Sequence, residues 1–317
     1  MDVVALGELL IDFTCVSTDA DGYPTMAAHP GGAPANFLAA LAKFGAKTAL
    51  LGKVGSDAFG KMLTATLRSA GIETAGLIET DDVFTTLAFV TLDETGNREF
   101  SFARKPGADT CVSFEELDLD LIDAAKVFHF GTLSLTDEPA RSATYRAVEY
   151  AKSKGKLITY DPNLRKPLWK SLDTCREQML WGLSKADVVK ISDEEVEFLF
   201  GLGVQDGAKH ILENYGVKLV FVTCGADGCY FKNAKAEGKV PALTDISVKD
   251  TTGAGDIFGG SAVWKLLRSG KLPQELEHEE LEEIVTFACT AAGLSTTMSG
   301  GISSVPEYED VIKRMHR

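Results

Sequence analysis

The sequence has few cysteines, and none of them stands in a pattern that binds metal or builds a disulfide framework. Six cysteines are scattered over 317 residues without a C-x-x-C pair. Structural zinc sites and small disulfide-rich domains both depend on closely spaced cysteines. We therefore expect six reduced thiols in the core of an ordinary globular protein.

Positive charge and long hydrophobic runs are also lacking. The chain carries 46 acidic and 32 basic residues, a formal net charge of −14. This charge argues against binding to nucleic acid or an anionic membrane, but not against a single nucleotide, which responds to the local field. No uncharged run approaches the roughly 20 residues that span a bilayer, and the first residues do not form a secretory signal. We expect a cytoplasmic protein.

Short apolar runs alternate with amphipathic helical patterns through most of the chain. This alternation predicts an α/β fold in which helices cover both faces of a doubly wound, mainly parallel sheet. We predict that residues 1–317 form one such domain. The strand candidates are residues 3–7, 48–52, 127–130, 157–161, 188–191 and 219–223, and two of the helical stretches are 138–153 and 175–184.

A hairpin pattern interrupts the alternation. Residues 85–92 and 98–103 have a strand-like composition and flank a turn at 94–97. We therefore predict a small β-sheet lid, formed by insertions at about 13–30 and 80–106. The exposed strand edges of such a lid favour pairing with a second copy, so we expect a homodimer formed through the lids.

The most informative motif is DTTGAGD at residues 250–256, which runs directly into a helical pattern. Its two glycines let the backbone approach a ligand, and the first N–H groups of a helix form an anion site. Asp256 would repel a bound phosphate, so its position is best explained by a base that accepts the proton of an attacking hydroxyl. Two alternatives remain open: Asp256 is only a first-turn helix acid, or the glycines belong to a dinucleotide-binding loop.

Polar residues gather at three other places where ligands commonly bind. The motif GGAPAN at residues 31–36 precedes a second helix and places an amide, that of Asn36, near the same space. Asp12 follows the first strand, where open α/β sheets bind ligands, and is a candidate for sugar hydroxyls; a solvated loop acid is the alternative. The ends of later strands carry Asp161, Asn163, Arg165, Lys190, Ser192, Glu195, Thr223, Gly225 and Gly228.

With these motifs in the same order and spacing, the chain resembles the ribokinase-like (PfkB) family of carbohydrate kinases, and most closely its fructokinases. DPNLR at 161–165 and SDEE at 192–195 also look like family motifs, and the resemblance covers essentially the full length. It implies ATP-dependent phosphorylation of a sugar hydroxymethyl group, with D-fructose as the expected acceptor. A 2-keto-3-deoxygluconate kinase, or another sugar or nucleoside kinase of the family, is the alternative.

The resemblance also implies a role for each candidate residue. Asp256 would be the base, with Gly253, Ala254 and Gly255 as the anion hole. The sugar would contact Asp12, Gly31, Gly32, Asn36 and Arg104, the last reaching in from the lid. ATP would lie across Asn163, Arg165, Lys190, Thr223, Gly225 and Gly228. Glu195 would place Mg²⁺ through water, and a monovalent cation such as K⁺ would bind near Asp250, Thr252, Gly300 and Ser304.

Overall fold

The structure of the protein is a computed structural model that describes residues 1–92 and 98–316. The predicted turn at 94–97 lies outside the described residues. The strands within this part of the chain are β1 (Val3–Leu6), β2 (Leu10–Thr18), β3 (Pro24–Gly31), β4 (Thr48–Gly55), β5 (Ile72–Glu73), β6 (Leu77–Thr80), β7 (Leu87–Leu92), β8 (Arg98–Ala103), β9 (Val127–Gly131), β10 (Leu157–Asp161), β11 (Val188–Ser192), β12 (Leu219–Thr223), β13 (Cys229–Asn233) and β14 (Glu237–Val240).

The helices connect these strands, and the two helical stretches predicted at 138–153 and 175–184 correspond to α4 and α5. They are α1 (Ala33–Lys43), α2 (Ala58–Ser69), α3 (Leu119–Ala124), α4 (Ala140–Ser153), α5 (Leu172–Lys185), α6 (Asp193–Phe200), α7 (Val204–Tyr215), α8 (Ala254–Ser269), α9 (His278–Ser295) and α10 (Tyr308–Met315). No helix in the described part of the chain has both the length and the apolar character that a membrane span needs.

The large sheet has ten strands in the order β14-β13-β12-β11-β10-β9-β1-β4-β5, with β6 paired to β4. All pairs from β12 to β5 are parallel, which confirms the predicted doubly wound α/β architecture. The antiparallel edge formed by β13 and β14 was not predicted. It arises because the chain reverses direction after β12 at residue 228. The φ of 90° at this position is one that glycine adopts readily and other residues rarely do.

Alternate residues of the central strands enter two different cores. Val4 and Leu6 of β1 pack towards α3–α7, whereas Val3 and Ala5 pack towards α1, α2 and α8–α10. Successive side chains of a strand point to opposite faces, so an uninterrupted apolar strand is buried on both. The expectation of six core thiols is wrong in part: all six cysteines are free, but only Cys175, Cys229 and Cys289 are buried.

The second sheet has four strands in the order β3-β2-β7-β8. One of its faces packs on α2, where Phe13 stacks on Phe89 and meets the edge of Phe59. The opposite face carries Asp12 and Val90 towards a polar cavity. Asp12 therefore lies inside β2, and not in a loop after β1 as the sequence suggested.

Candidate active site

The N-terminus of α8 is built around Gly253, which caps the helix with a left-handed φ of 76°. A Cβ at this position would lie 2.9 Å from the Cα of Gly301, so only glycine fits. The N–H of Ala254 donates to the Thr251 carbonyl at 3.3 Å. Among the described residues, no protein acceptor takes the N–H groups of Gly255 and Asp256. Of the predicted anion hole of Gly253, Ala254 and Gly255, the N–H of Ala254 is therefore engaged within the loop, whereas that of Gly255 is available together with that of Asp256.

Asp256 lies in the first turn of α8, where Asn36 of α1 holds it in place. The Nδ2 atom of Asn36 donates to Asp256 Oδ2 at 2.9 Å. Burial raises the pKa of Asp256, although the Lys190 ammonium and the hydrogen bond from Asn36 act in the opposite direction. A carboxylate with a raised pKa accepts a proton more readily near neutral pH, as a general base requires.

Lys190 of β11 supplies a positive charge next to this helix terminus. Its Nζ lies 3.0 Å from Asp161 Oδ2 of β10, and a Cβ on Gly255 would lie 2.9 Å from the same Nζ. Burial disfavours the ammonium, but the carboxylates of Asp161, Glu195 and Asp256 outweigh it and raise the pKa of Lys190. The lysine therefore stays charged, and the backbone of Gly255 can approach it only because glycine has no side chain.

These groups face a polar cavity of about 210 Å³. The predicted residues that it brings together are Asp12, Gly32, Asn36, Asn163, Arg165, Lys190, Thr252, Gly253, Gly255 and Asp256. Among the other residues that line it are Glu8, Thr14, Phe102 and Leu133, to which the sequence analysis assigned no role. Carboxylates, amides and cationic side chains thus converge on one space.

Asp12 is the carboxylate on the small-sheet side of this cavity. Burial raises the pKa of Asp12 to about 6, although the guanidinium of Arg165 opposes the shift. Gly31 is not a lining residue, but a Cβ there would lie 2.2 Å from Asp12 Oδ2, so its role is to leave room for the carboxylate. Gly32 has a φ of 120°, and its Cβ would lie 2.4 Å from the carbonyl oxygen of Glu8.

Arg104 does not reach into the cavity, which corrects the sequence prediction. It is 5% exposed, and its Nε donates to Asp109 Oδ2 at 2.8 Å. The two terminal nitrogens donate to Thr136 Oγ1 and to the Leu133 carbonyl. A buried guanidinium needs a carboxylate and further acceptors, and the segment from Asp109 to Thr136 supplies all of them to Arg104. Arg104 therefore connects the end of β8 to the part of the chain that flanks the large sheet.

A second cavity, of about 370 Å³ and mainly apolar, lies on the other side of the α8 terminus. It contains Thr223, Gly225 and Gly228 of the predicted nucleotide set, together with Ala254 and side chains from 242–248 and α9. Thr251 and Gly255 line both cavities. The predicted ATP-binding residues are thus divided, with Asn163, Arg165 and Lys190 on the polar side.

The residues predicted to hold metal ions are already engaged with the backbone. Glu195 accepts the N–H groups of Leu164 and Ser192, at 2.7 and 2.8 Å, and lines neither cavity. Asp250 accepts hydrogen bonds from the N–H groups of Thr252 and Gly300, and so connects the loop before α8 to the loop after α9. The hydroxyl of the buried Ser304 donates to the Gly301 carbonyl. In the described residues, no group of three or more His, Cys, Asp or Glu side chains is suited to a metal ion.

The sequence profile of the pfkB family carbohydrate kinases matches residues 1–308. The chain belongs to the PfkB family. The predicted resemblance is therefore confirmed. The chain is also similar to Fructokinase-1 of Oryza sativa subsp. japonica, with 41% identity over 99% of this chain and 97% of that protein.

Two solved fructokinase structures are similar to the fold of this chain. A fructokinase from Xylella fastidiosa with bound ATP has a TM-score of 0.89 and 29% identity, and covers 99% of this chain and 98% of its own. A fructokinase from Vibrio cholerae O395 with fructose, ADP and calcium has a TM-score of 0.87 and 28% identity, with the same coverage.

Proposed function

We propose that this PfkB protein is an ATP-dependent fructokinase, which transfers the terminal phosphoryl group of ATP to the hydroxymethyl group of D-fructose. The observation that supports this most directly is the position of Asp256. Its carboxylate lines the polar cavity, and the preceding Gly255, whose N–H group is available, lines both the polar cavity and the apolar one. One side can hold a polyhydroxylated sugar and the other a nucleotide base, with the phosphates between them.

The chemistry follows from this arrangement. A sugar hydroxyl attacks the terminal phosphorus, its proton passes to the Asp256 carboxylate, and the bond to ADP breaks. The N–H groups of Gly255 and Asp256 and the ammonium of Lys190 stabilise the negative charge of the transferred group. Asn36 keeps the carboxylate oriented through its 2.9 Å hydrogen bond.

The apolar cavity suits the nucleotide. Leu243, Ile246 and Val248 give it walls on which a base can pack. Gly228 also lines it, at a position where a Cβ would lie 2.0 Å from the Val240 carbonyl oxygen, so only glycine fits there. Mg²⁺, when bound, neutralises phosphate charge. Both oxygens of Glu195 accept backbone N–H groups, so this chain fits an ion held mainly by phosphates and water, with Glu195 acting through water.

The small sheet serves as a lid in this proposal. Its inner face places Leu10, Asp12, Thr14 and Val90 against the sugar cavity. A cover over the reacting hydroxyl limits the access of water, which would otherwise compete as phosphoryl acceptor.

The proposed K⁺ site lies between the loops of Thr252 and Gly300, whose N–H groups both bind the Asp250 carboxylate. Replacing KCl by NaCl in the kinase assay tests this site. Equal rates in the two salts would contradict it.

The sugar specificity tests the proposed function. Buried carboxylate and amide groups reject substrates that leave them unpaired, so Asp12 and Asn36 favour a polyhydroxylated sugar over a nucleoside. With saturating Mg-ATP, we expect kcat/KM for D-fructose to exceed that for ribose and adenosine by at least about 10²-fold.

A coupled assay over a panel of sugars measures these ratios. Arg165 lines the cavity and Arg104 does not, so we expect a sugar acid to pair with Arg165. A higher kcat/KM for 2-keto-3-deoxygluconate, lost in Arg165→Ala, would replace fructose by a sugar acid as the substrate.

We further propose a homodimer formed through the small sheets. The strands β3 and β8 are the outer strands of this sheet, and Val16 of β2 and Tyr23, directly before β3, are 60% and 70% exposed. Unpaired edges and exposed apolar side chains are commonly covered by a second chain. Light scattering should give a dimer mass that Tyr23→Lys shifts towards the monomer; a monomer mass for the wild type at all working concentrations would contradict this.

A further inference from the structure

Glu8 is a buried carboxylate that the roles assigned so far do not use. It lies between β1 and β2, is 3% exposed, and lines the sugar cavity close to Asp12 and Asp256. Its Oε1 accepts the N–H of Ala33, the first residue of α1, at 2.9 Å. Among the described residues, no side chain donates to Oε2. The backbone N–H of Glu8 itself also interacts with the carboxylate. Two backbone contacts do not use all the lone pairs of an ionised carboxylate, so the side of Glu8 that borders the cavity can accept a further hydrogen bond.

The structural contacts of Glu8 do not require a charged carboxylate. The hydrogen bond from Ala33 caps α1 and so helps to place Asn36, one turn further along the helix. That contact needs Oε1 alone, and an amide oxygen would serve equally well. The second oxygen belongs to a side chain that faces a space lined by hydroxyl-binding groups, so the fitting donor is a hydroxyl of the bound substrate.

The environment of Glu8 determines whether its carboxyl group is ionised. Burial raises the pKa of Glu8 to about 7, and Asp109 acts in the same direction while Arg104 opposes it. A hydrogen bond from a sugar hydroxyl favours the ionised form, which is the better acceptor. The other charged or titratable groups that line the two cavities bordered by Glu8 are Asp12, Asp161, Asp256, His129, Arg165 and Lys190.

We propose that Glu8 is a specificity-determining residue, whose Oε2 accepts a hydrogen bond from a hydroxyl of the acceptor sugar in addition to the contact made by Asp12. The inference rests on the proposed function, because it assumes a polyhydroxylated acceptor in this cavity. It predicts that Glu8 affects the binding of the sugar and not that of the nucleotide, whose apolar cavity lies beyond Gly255.

The variant Glu8→Gln separates the two roles. Its amide oxygen still accepts from Ala33, but an NH₂ group replaces the accepting Oε2. We expect KM for D-fructose to rise by about 10- to 100-fold, the loss of one charge-assisted hydrogen bond, with KM for ATP changed less than about twofold. The melting temperature should stay close to that of the wild type. The control Glu115→Gln removes an exposed carboxylate of similar size and should change neither constant.

The pH profile gives a second readout, which a helix cap alone would not change. Glu8 is ionised above its pKa of about 7, so kcat/KM for fructose should fall as the pH drops through this value. In Glu8→Gln the part of this limb that is due to Glu8 should be lost. The part that remains should reflect the base Asp256 and Asp12, whose pKa values are both raised by burial, that of Asp12 to about 6. An unchanged fructose KM together with an unchanged profile would overturn the proposal and leave Glu8 as a cap.

Two further results would not test the role of Glu8 directly and lead to a different comparison. A wild-type enzyme that does not phosphorylate fructose contradicts the proposed function, and the Glu8 comparison is then made with the sugar that it does use. If Glu8→Gln fails to fold, a crystal structure of the wild type with fructose shows whether Oε2 accepts a hydrogen bond from the sugar. A sugar hydroxyl within about 3.2 Å of Oε2 supports the proposal, and a sugar whose hydroxyls all lie beyond hydrogen-bond distance overturns it.

Discussion

Replacement of Asp256 by asparagine is expected to lower kcat by roughly 10²- to 10⁴-fold while KM for ATP changes little. The amide has the size of the carboxylate and still offers an oxygen to the Nδ2 of Asn36. What it cannot do is accept the hydroxyl proton. Because the backbone N–H groups of Gly255 and of residue 256 are retained, phosphate binding should survive and the loss should fall on the chemical step.

A matched control distinguishes a base from a first-turn helix acid. Asp206 occupies the first turn of α7 and is exposed, so Asp206→Asn removes the same kind of dipole interaction without approaching either cavity. We expect Asp206→Asn to retain full kcat in the coupled assay. An Asp256→Asn enzyme with more than about a tenth of wild-type kcat would exclude Asp256 as the base.

The features that the sequence predicted are those that local chemistry determines. The helix start at Gly253 follows from two glycines ahead of an apolar helical period, and the parallel strands follow from short apolar runs. The convergence of Lys190 and Asp161 could also be foreseen, because the carboxyl ends of neighbouring parallel strands lie at one edge.

The features that the sequence did not predict depend on contacts between distant segments. Arg104 resembled a ligand-binding arginine because nothing local shows that Asp109 and Thr136 surround its guanidinium. The turn that engages the N–H of Ala254 is likewise a property of the folded loop. Glu8 immediately follows a glycine at the end of the first strand, a signal that could have been used, but its burial beside Ala33 arises only when α1 packs on β1.

Lys190→Met is expected to damage both stability and turnover, because Lys190 is the cation that balances a group of buried carboxylates. Removing one partner of a buried ion pair leaves the other charge uncompensated and costs about 3–5 kcal/mol. Here that partner is Asp161, 3.0 Å away. The double variant Lys190→Met/Asp161→Asn removes both charges and should recover much of the free energy of unfolding, measured by urea denaturation, without recovering the rate.

The same substitution should lower kcat/KM by roughly 10²- to 10³-fold and move its pH dependence, since loss of one preorganised cationic donor is costly at a phosphoryl-transfer site. Lys190 acts to lower the pKa of Asp256, so its removal raises that pKa further. The base works only when ionised, and activity is lost as the pH falls through its pKa. The acid limb of the kcat/KM profile must therefore shift to higher pH in Lys190→Met.

The control for both measurements is Lys218→Met, whose ammonium pairs with Asp187 at 2.8 Å but is 44% exposed and lies away from the cavities. Exposed pairs of this kind contribute little, so its stability, rate and pH profile should stay close to those of the wild type. If Lys190→Met kept its acid limb at the wild-type pH, Lys190 would not be coupled to the base. If it also kept kcat/KM within about threefold, the charge at the helix terminus would have to come from Arg165, which lines the same cavity.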